Sequence, residues 1–257
     1  MKVIDIQGKA PKILIWGDIG VGKTGFALTL GARAQVLDLD DGLITGVTLV
    51  DKFQIDRQSV DVVQFLEPAP HRAATVFSRV KSYIIDVSNK CSRGEYPFQA
   101  IILDSLSTYA TAALAFIMNN SGKLNGTPEI QHWGLAFSEI KNVLAVLRSL
   151  PIPVILLAHE QVKTFGSGLV KEEKLELAVS GKNLASQISL HFDEIWYMRV
   201  QPQGAGKNKY VLQTLNDGNI PCRSRMNLPN YFDTSVGMWE TLKKVGYVPP
   251  EPKSVVK

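Results

Sequence analysis

Residues 17–24 are the part of this sequence whose side chains and spacing most directly indicate chemistry. They read Gly-Asp-Ile-Gly-Val-Gly-Lys-Thr, which fits the spacing GxxxxGKT. Glycine permits backbone angles that turn successive N–H groups toward phosphate oxygens. A lysine can neutralise those oxygens, and a threonine hydroxyl can ligate Mg²⁺. The residues predicted to hold Mg²⁺ and ATP are Gly17, Asp18, Ile19, Gly20, Val21, Gly22, Lys23, Thr24 and Gly25.

The segments on either side of this loop are those that such a site requires. The apolar run Lys12–Trp16 predicts a buried strand before the loop, and helical spacing over Lys23–Gly31 predicts a helix after it. A helix N-terminus adds partial positive charge at an anion site. Strand, loop and helix together predict a P-loop NTPase, and a chance glycine-rich turn is the alternative.

A second acidic group follows another predicted strand. Ala100–Leu103 is an apolar run that ends at Asp104 and Ser105. A phosphate loop needs a carboxylate at the end of a neighbouring strand to hold the magnesium shell. We assign this role to Asp104, together with Thr24. Asp104 or Ser105 could also cap the following helix, and the two roles are compatible.

The remaining elements predict an α/β fold. Apolar runs of four to eight residues alternate with helical segments, which is typical of a mainly parallel sheet flanked by helices. After Glu194 shorter runs around turns, ending with Tyr210–Leu215, predict antiparallel edge strands toward the C-terminus. The further predicted strands, all expected to be buried, are Gln35–Leu39, Val60–Phe65, Val154–Ala158 and Glu194–Val200. The further predicted helices are His71–Ser88, Ser105–Met118 and Trp133–Ser149.

The composition predicts one soluble domain. The chain has 257 residues, of which 45% are apolar, and such a chain can bury one substantial core. No apolar run approaches the roughly 20 residues of a membrane span. We expect an ATPase domain over residues 1–248, a flexible proline-containing tail over 249–257, a cytoplasmic location and no membrane partner. Cys91 and Cys222 are expected to be free thiols.

The net charge of +4 is unevenly distributed. Residues 1–198 carry 19 basic and 20 acidic side chains, whereas residues 199–257 carry 9 basic and 4 acidic ones. Such an excess can face nucleic acid or nucleotide phosphates, and it can equally be an ordinary protein surface.

With these motifs the sequence resembles the RecA-like ATPases, and more closely the phage-encoded Sak-type proteins of single-strand annealing and recombination. The resemblance implies a RecA-like core and a head-to-tail homo-oligomeric ring or filament. It also implies single-stranded DNA as a partner, a single-strand binding protein as a further candidate partner, and the bacterial host cytoplasm as the location of a phage-encoded chain. The similarity spans about residues 12–232 and is carried by residues 17–24, 36–42, 101–105, 154–161 and 223–225.

In that family the strand after the phosphate-loop helix ends in an acidic residue that polarises the attacking water. Asp40 matches this position, with Asp41 one residue away. The RecA pattern has glutamate here, and aspartate is one methylene shorter, which bears on the rate of hydrolysis. A carboxylate can orient and deprotonate water only if it reaches the γ-phosphate. An aspartate that stabilises a turn is the alternative.

The resemblance also implies a γ-phosphate sensor at the end of the strand Val154–Ala158. His159 matches that position, which is glutamine in RecA, and an imidazole can also donate to a phosphate oxygen. A histidine satisfied by a backbone carbonyl is the alternative, and Glu160 and Gln161 are weaker candidates. Val162–Ser180 predicts a mobile loop or a hairpin, which the resemblance places at a DNA channel. Its candidate phosphate contacts are Lys163, Lys171, Lys174 and Lys182, with a solvated surface as the alternative.

Two arginines complete the candidate residues. Arg223 and Arg225 follow the turn 216–218 in a predicted strand-turn-strand unit, where residues spaced by one point the same way. The resemblance implies that they act in trans at the ATP site of a neighbouring subunit, where an arginine finger contributes roughly 10³–10⁵ in rate. An exposed pair that protects an edge strand from aggregation is the alternative.

These features lead to two functional hypotheses of different classes. The first is an ATPase stimulated by single-stranded DNA, in recombination or strand annealing, whose DNA half depends on the resemblance. The second is a nucleotide-dependent switch or adaptor for replication or packaging machinery. A small-molecule kinase is disfavoured, because no arginine-rich lid is evident in the sequence.

Overall fold

The computed structural model describes residues 10–30, 34–42, 60–67, 74–165, 172–179, 184–204 and 207–247. Nine strands and six α-helices lie within these ranges. In chain order they are β1 (Lys12–Gly17), α1 (Lys23–Leu28), β2 (Ala34–Asp38), β3 (Val60–Gln64), α2 (Val76–Arg93), β4 (Ala100–Asp104), α3 (Leu106–Asn120), α4 (Ile130–Ser149), β5 (Val154–Phe165), β6 (Glu172–Leu177), α5 (Leu184–Ser189), β7 (Glu194–Pro202), β8 (Asn208–Gln213), β9 (Tyr231–Asp233), a 3-10 helix (Thr234–Val236) and α6 (Met238–Lys244).

One sheet connects these strands in the order β3-β2-β4-β5-β1-β7-β8-β9, and β6 pairs with β5. The first six strands in this order, β3, β2, β4, β5, β1 and β7, are parallel, so their carboxyl ends share one edge. In the register, Gly17 lies opposite His159 and Asp38 lies opposite Asp104. Because β5 lies between β1 and β4, it places His159 between the phosphate loop and Asp104. Ligand sites of open parallel sheets form at this edge.

Burial explains why these strands occupy the centre of the sheet. Every residue of β1, β2 and β4 is buried, as expected for parallel strands covered on both faces. Leu14 and Trp16 pack in a core with α2, α3 and α4. Ile13 and Ile15 point the other way, into a core that includes Phe26 of α1. The period of two residues in β1 therefore serves both layers, and Trp16 belongs to the core.

The predicted α/β fold is confirmed, including the antiparallel strands toward the C-terminus. β7 pairs antiparallel with β8, and β8 with β9. One helix begins earlier than its spacing predicted. α4 begins at Ile130 and not at Trp133, because Glu129 and His132 form a capping box without a serine, threonine or aspartate to mark it.

The strand prediction was too short at Ala158. β5 continues to Phe165 and pairs with β6 as an antiparallel hairpin, so the hairpin alternative is the one observed. Its polar side chains resemble a loop in sequence, but Gln161 and Lys163 both contact Glu176 across the hairpin, at 3.0 Å each. Cross-strand pairs of this kind stabilise an exposed ladder.

The predicted strand after the turn 216–218, which was to carry Arg223 and Arg225, is wrong. The turn before it is present, since the Gly218 N–H donates to Asn216 Oδ1. Beyond the turn, however, Arg223 forms only an isolated bridge with Ile195. The reason lies outside the segment: the N–H groups of Arg225 and Met226 donate to the Glu194 carboxylate, at 2.5 and 2.8 Å, and so pair with a side chain in place of a strand.

Several predictions fall outside the described residues. They include Lys171, Lys182, the start of the predicted helix at His71 and the tail at 249–257. Within the described ranges, Cys91 and Cys222 are free thiols. In the same ranges, no helix combines the length and the apolar character that crossing a bilayer requires.

Candidate nucleotide site

The loop after β1 has a backbone that only glycine fits at its ends. Gly17 has a φ of 153°, and a Cβ there would lie 2.2 Å from the Met198 carbonyl oxygen of β7. Gly22 caps α1 in the left-handed region with a φ of 90°. A side chain at Gly17 would push β7 away, and one at Gly22 would strain the entry to the helix. These glycines thus set the path of the loop between its strand and helix.

Lys23 lies folded beneath this loop. Its Nζ donates to the carbonyl oxygens of Gly17 at 3.0 Å and Asp18 at 2.7 Å. Burial lowers the pKa of Lys23, and the nearby carboxylates of Asp104 and Asp18 oppose that shift. The ammonium group is therefore held next to the loop by neutral acceptors, which phosphate oxygens could replace.

Thr24 and Asp104 form the next contact. The Thr24 hydroxyl donates to Asp104 Oδ2 at 2.6 Å, and Asp104 is 6% exposed. Burial raises the pKa of Asp104 to about 6; repulsion from Asp40 and Asp38 adds to the increase, while the Thr24 hydrogen bond and Lys23 oppose it. The repulsion of Asp104 by Asp40 and Asp38, which Lys23 offsets only in part, leaves an excess of negative charge. A divalent cation fits this arrangement, because Mg²⁺ prefers oxygen ligands and would offset the charge.

Asp40 is held differently. Its Oδ2 lies 3.0 Å from His159 Nε2, and its Oδ1 accepts a hydrogen bond from Ser105 Oγ at 3.2 Å. Burial raises its pKa, but hydrogen bonds from His159, Thr108 and Ser105 outweigh burial and lower it. Asp40 is therefore a carboxylate that remains ionised. Ser105 also caps α3, because it accepts from the Thr108 N–H.

His159 is fixed by its backbone and by its ring. Its N–H donates to Ser107 Oγ at 2.9 Å, and its Nδ1 is buried without a hydrogen-bond partner in the described part of the chain. A buried nitrogen without an acceptor is best left unprotonated, which assigns the ring hydrogen to Nε2 and makes it the donor to Asp40. The ring partner is a carboxylate, not the backbone carbonyl of the alternative interpretation.

The structure distinguishes the two adjacent aspartates. Asp40 lines the main cavity, whereas Asp41 is exposed, does not line that cavity and accepts a hydrogen bond from Gln64 Nε2 at 2.6 Å. The weaker candidates also lie outside the cavity lining. Glu160 interacts with Tyr197, and Gln161 belongs to the hairpin described above.

A cavity of about 1380 Å³ joins these groups. Pockets for drug-sized ligands measure roughly 300–1,000 Å³, so this cavity has room for a nucleotide and solvent. One wall is formed by the loop, Asp104, Asp40 and His159. Most of the rest of the lining comes from the β7–β8 hairpin, the last residue of β9 and the 3-10 helix after it, which the motifs did not predict. The alternation of lysine and polar residues after the hairpin turn was the available indication. These residues are Met198, Gln203, Lys207, Asn208, Lys209, Tyr210, Asp233, Thr234 and Ser235.

Arg223 and Arg225, predicted to act at an ATP site, lie outside the cavity lining. Arg223 Nη2 donates to the carbonyl oxygens of Phe192 and of Ser189, the latter at 2.7 Å, and Arg225 Nη1 lies 3.1 Å from Asp193 Oδ1. Neither lines the cavity of its own subunit. A role in a neighbouring subunit therefore stays a prediction.

The candidate lysines of the hairpin also lie outside the cavity lining. Lys163 contacts Glu176, and Lys174 lies opposite Lys163 in the β5–β6 ladder.

The strand order, the glycine loop and the acidic strand ends define a RecA-like P-loop ATPase. Residues 9–226 match the protein family AAA_24, described as an AAA domain. The match covers most of the 257 residues, and the chain belongs to this family.

A comparison with curated protein sequences finds no significant match. Similar solved structures include the flagellar accessory protein FlaH from Methanocaldococcus jannaschii, with a TM-score of 0.47, 12% identity and 90% of each chain covered. Another is a prototypical ATPase from the type III secretion system of pathogenic bacteria, with a TM-score of 0.46 and 16% identity over 76% of this chain and 55% of that one. A third is EscN from enteropathogenic E. coli, with a TM-score of 0.44 and 16% identity over 75% and 45%. The chain thus spans about half the length of the two secretion ATPases, and the likeness assigns no substrate or partner.

Proposed function

We propose that this protein is a Mg²⁺-dependent ATPase that acts on single-stranded DNA in recombination or strand annealing. The observation that carries the ATPase half is the convergence of Lys23, the Thr24–Asp104 pair and Asp40 on one cavity. The DNA half is supported by the resemblance to Sak-type proteins and by the basic excess of residues 199–257.

The chain's own residues divide the work of binding. The backbone of residues 17–22 holds the β- and γ-phosphates, and Lys23 exchanges its two loop carbonyls for phosphate oxygens. Thr24 and Asp104 hold the magnesium shell. Bound ATP supplies the transferable phosphoryl group, and Mg²⁺ neutralises its charge.

Asp40 orients the attacking water, and His159 keeps Asp40 in position. A carboxylate that accepts three hydrogen bonds and has a lowered pKa is a weak base, so its main contribution is orientation. Aspartate is also one methylene shorter than the glutamate of the RecA pattern. We therefore expect slow turnover in the isolated chain.

Arg223 and Arg225 supply positive charge to the cavity of the next subunit in a head-to-tail ring or filament. Within one subunit they are bonded to carbonyl oxygens and to Asp193, so assembly must exchange these contacts.

Mixing two inactive variants tests whether the arginines act in trans. Arg223→Ala/Arg225→Ala chains keep an intact phosphate loop, and Lys23→Ala chains keep the arginines. ATP turnover in the mixture that is higher or lower than the sum of the two separate proteins supports action in trans. Turnover equal to that sum contradicts it.

A nucleotide-dependent switch or adaptor for replication or packaging machinery is the second candidate. It is favoured by the firmly held Asp40 and by the distance of both arginines from the cavity of their own subunit. A switch of this kind binds ATP, hydrolyses it slowly and presents a conformation to its partner.

The deciding experiment is steady-state ATP hydrolysis with and without single-stranded DNA, at low and moderate salt, with Lys23→Ala as the blank. The proposal expects stimulation by DNA that weakens as salt rises, because phosphate contacts release counterions. Slow turnover that DNA leaves unchanged would favour the switch.

A further inference from the structure

One face of the three antiparallel strands carries an uncommon set of side chains. Residues spaced by two along β7 and β8 point to the same side of the sheet, and the ladder register aligns them with two residues of β9. We name this surface the Tyr231 face. It consists of Arg199, Gln201, Lys209, Val211, Tyr231 and Asp233.

The Tyr231 face is open in the described part of the chain. Tyr231 is 46% exposed, and the Lys209 side chain is 43% exposed. The Arg199 guanidinium lies 5.5 Å from the centre of the Tyr231 ring, and Arg199 Nε is buried without a hydrogen-bond partner. Val211 forms a buried floor. A cavity of about 380 Å³ opens at this surface, within the size range of small-ligand sites.

The charge of the Tyr231 face indicates what it can bind. Arg199 and Lys209 carry two positive charges, and Asp233, which lies 3.4 Å from Lys209, offsets one of them. The remaining charge is that of the planar Arg199 guanidinium, which lies beside the exposed Tyr231 ring. Proteins that bind single strands without sequence preference use this combination, since every base has a face that can stack and every nucleotide carries a phosphate.

We propose that the Tyr231 face binds single-stranded DNA, with a base stacked on Tyr231 and the adjoining phosphates contacting Arg199 and Lys209. The inference rests on the proposed function, and it adds a DNA surface on the edge strands to the loop that the resemblance implies.

The position of this surface links it to the nucleotide. Lys209 and Asp233 line both the Tyr231 face and the large cavity beside the phosphate loop. Bound DNA that draws the Lys209 ammonium toward its phosphates weakens the Lys209–Asp233 ion pair at the wall of the nucleotide cavity. DNA and ATP are therefore expected to change each other's affinity, in a reciprocal way.

The test measures binding of a fluorescent oligothymidylate by the full chain with ATP present. Tyr231→Ala is expected to weaken binding about tenfold, whereas Tyr231→Phe keeps the ring and stays within about twofold of wild type. Arg199→Gln is expected to weaken binding and to reduce the salt dependence by about one phosphate contact. The matched control is Lys244→Gln, which removes an exposed cation at the end of α6 and is expected to bind as wild type.

The outcomes separate this proposal from the function on which it rests. A wild-type chain that does not bind the oligonucleotide at low salt contradicts the DNA half of the proposed function as well. Binding by the wild type that neither Tyr231→Ala nor Arg199→Gln weakens overturns the Tyr231 face alone. Equal losses for duplex and single strand in Arg199→Gln, with no loss in Tyr231→Ala, mean a general polyanion surface and also overturn it.

A second measurement needs no variant and so does not depend on mutant folding. An oligonucleotide that carries iodouracil cross-links on irradiation to aromatic side chains that stack on it. Adducts at Tyr231 of the wild-type chain, mapped by mass spectrometry, support the proposal. Adducts found only at other residues overturn it.

Discussion

Asp104 and Asp40 line the same cavity, yet the fold treats the two carboxylates in opposite ways. Asp104 accepts a side-chain hydrogen bond from Thr24, and burial raises its pKa to about 6. Asp40 is bonded by His159, Ser105 and Thr108, which lower its pKa. Environment thus shifts the pKa values of two identical side chains in opposite directions.

The difference shows where the cavity is electrostatically incomplete. The surroundings of Asp104 favour an added cation, because its charge is buried and poorly compensated. The surroundings of Asp40 are already satisfied by fixed donors, which hold the carboxylate in one orientation. We therefore expect magnesium at Asp104 and a positioned water at Asp40.

The largest effect is expected at Lys23, the cation near both carboxylates. Lys23→Ala is expected to lower ATP turnover by about 10³-fold or more and to weaken ATP binding, because it removes the buried cation of the phosphate loop. Turnover and nucleotide affinity are measured together. Lys243→Ala, which removes an exposed cation on α6, is the control. Wild-type affinity and turnover in Lys23→Ala would refute the phosphate-loop assignment.

Asp40→Asn separates the two carboxylates directly. It is expected to reduce kcat by about 10²-fold with little change in ATP affinity, since we propose that Asp40 orients the attacking water and does not bind the nucleotide. Asp41→Asn is the matched control, because Asp41 is exposed and bonded to Gln64. If Asp41→Asn loses the activity and Asp40→Asn keeps it, the assignment must move by one residue.

His159 sharpens the comparison, because it acts through Asp40. His159→Ala is expected to reduce kcat about tenfold by releasing one of the donors to Asp40, and His159→Gln, which can donate to the same oxygen, is expected to recover part of the loss. The readout is kcat and KM for both variants. Equal activity of His159→Ala and wild type would show that this hydrogen bond does not position Asp40.

The pH dependence of stability gives the smallest effect and the cleanest contrast. Since the pKa of Asp104 is raised from 3.8 to about 6, its ionisation costs stability that builds up as pH rises between these values, by up to about 3 kcal/mol. Asp104→Asn should therefore be more stable than wild type at pH 7.5, and the gain should shrink as pH falls to 5.

The lowered pKa of Asp40 has the opposite sign. Its ionised form stabilises the fold above pH 3.8, and this contribution is lost only as pH falls below that value. Asp40→Asn should therefore be less stable than wild type by a similar amount at pH 7.5 and at pH 5. Urea unfolding in EDTA measures both variants without metal. The same pH trend in both would contradict the opposite shifts.

Much of the fold was predictable because its strands are strongly patterned apolar runs bounded by turn residues. The apolar runs predicted the strands, although β3, expected to be buried, lies mostly exposed at the edge of the sheet. The runs and the resemblance also indicated Asp104 at the end of β4 and Asp40 two residues after β2. The arginine segment failed for a reason outside its own residues. Glu194, about thirty positions earlier in the chain, takes up the N–H groups of Arg225 and Met226.

Contiguous residues were enough to identify the phosphate loop, because its glycines, lysine and threonine act over a single strand-loop-helix unit. The Asp40–His159 pair, separated by 119 positions, depends on the strand order β2-β4-β5, which the burial of the whole sheet sets. The Tyr231 face likewise exists only through the register of three strands. Local patterns specify conformation over a few residues, whereas contacts between distant residues depend on how the sheet packs and which edges remain open.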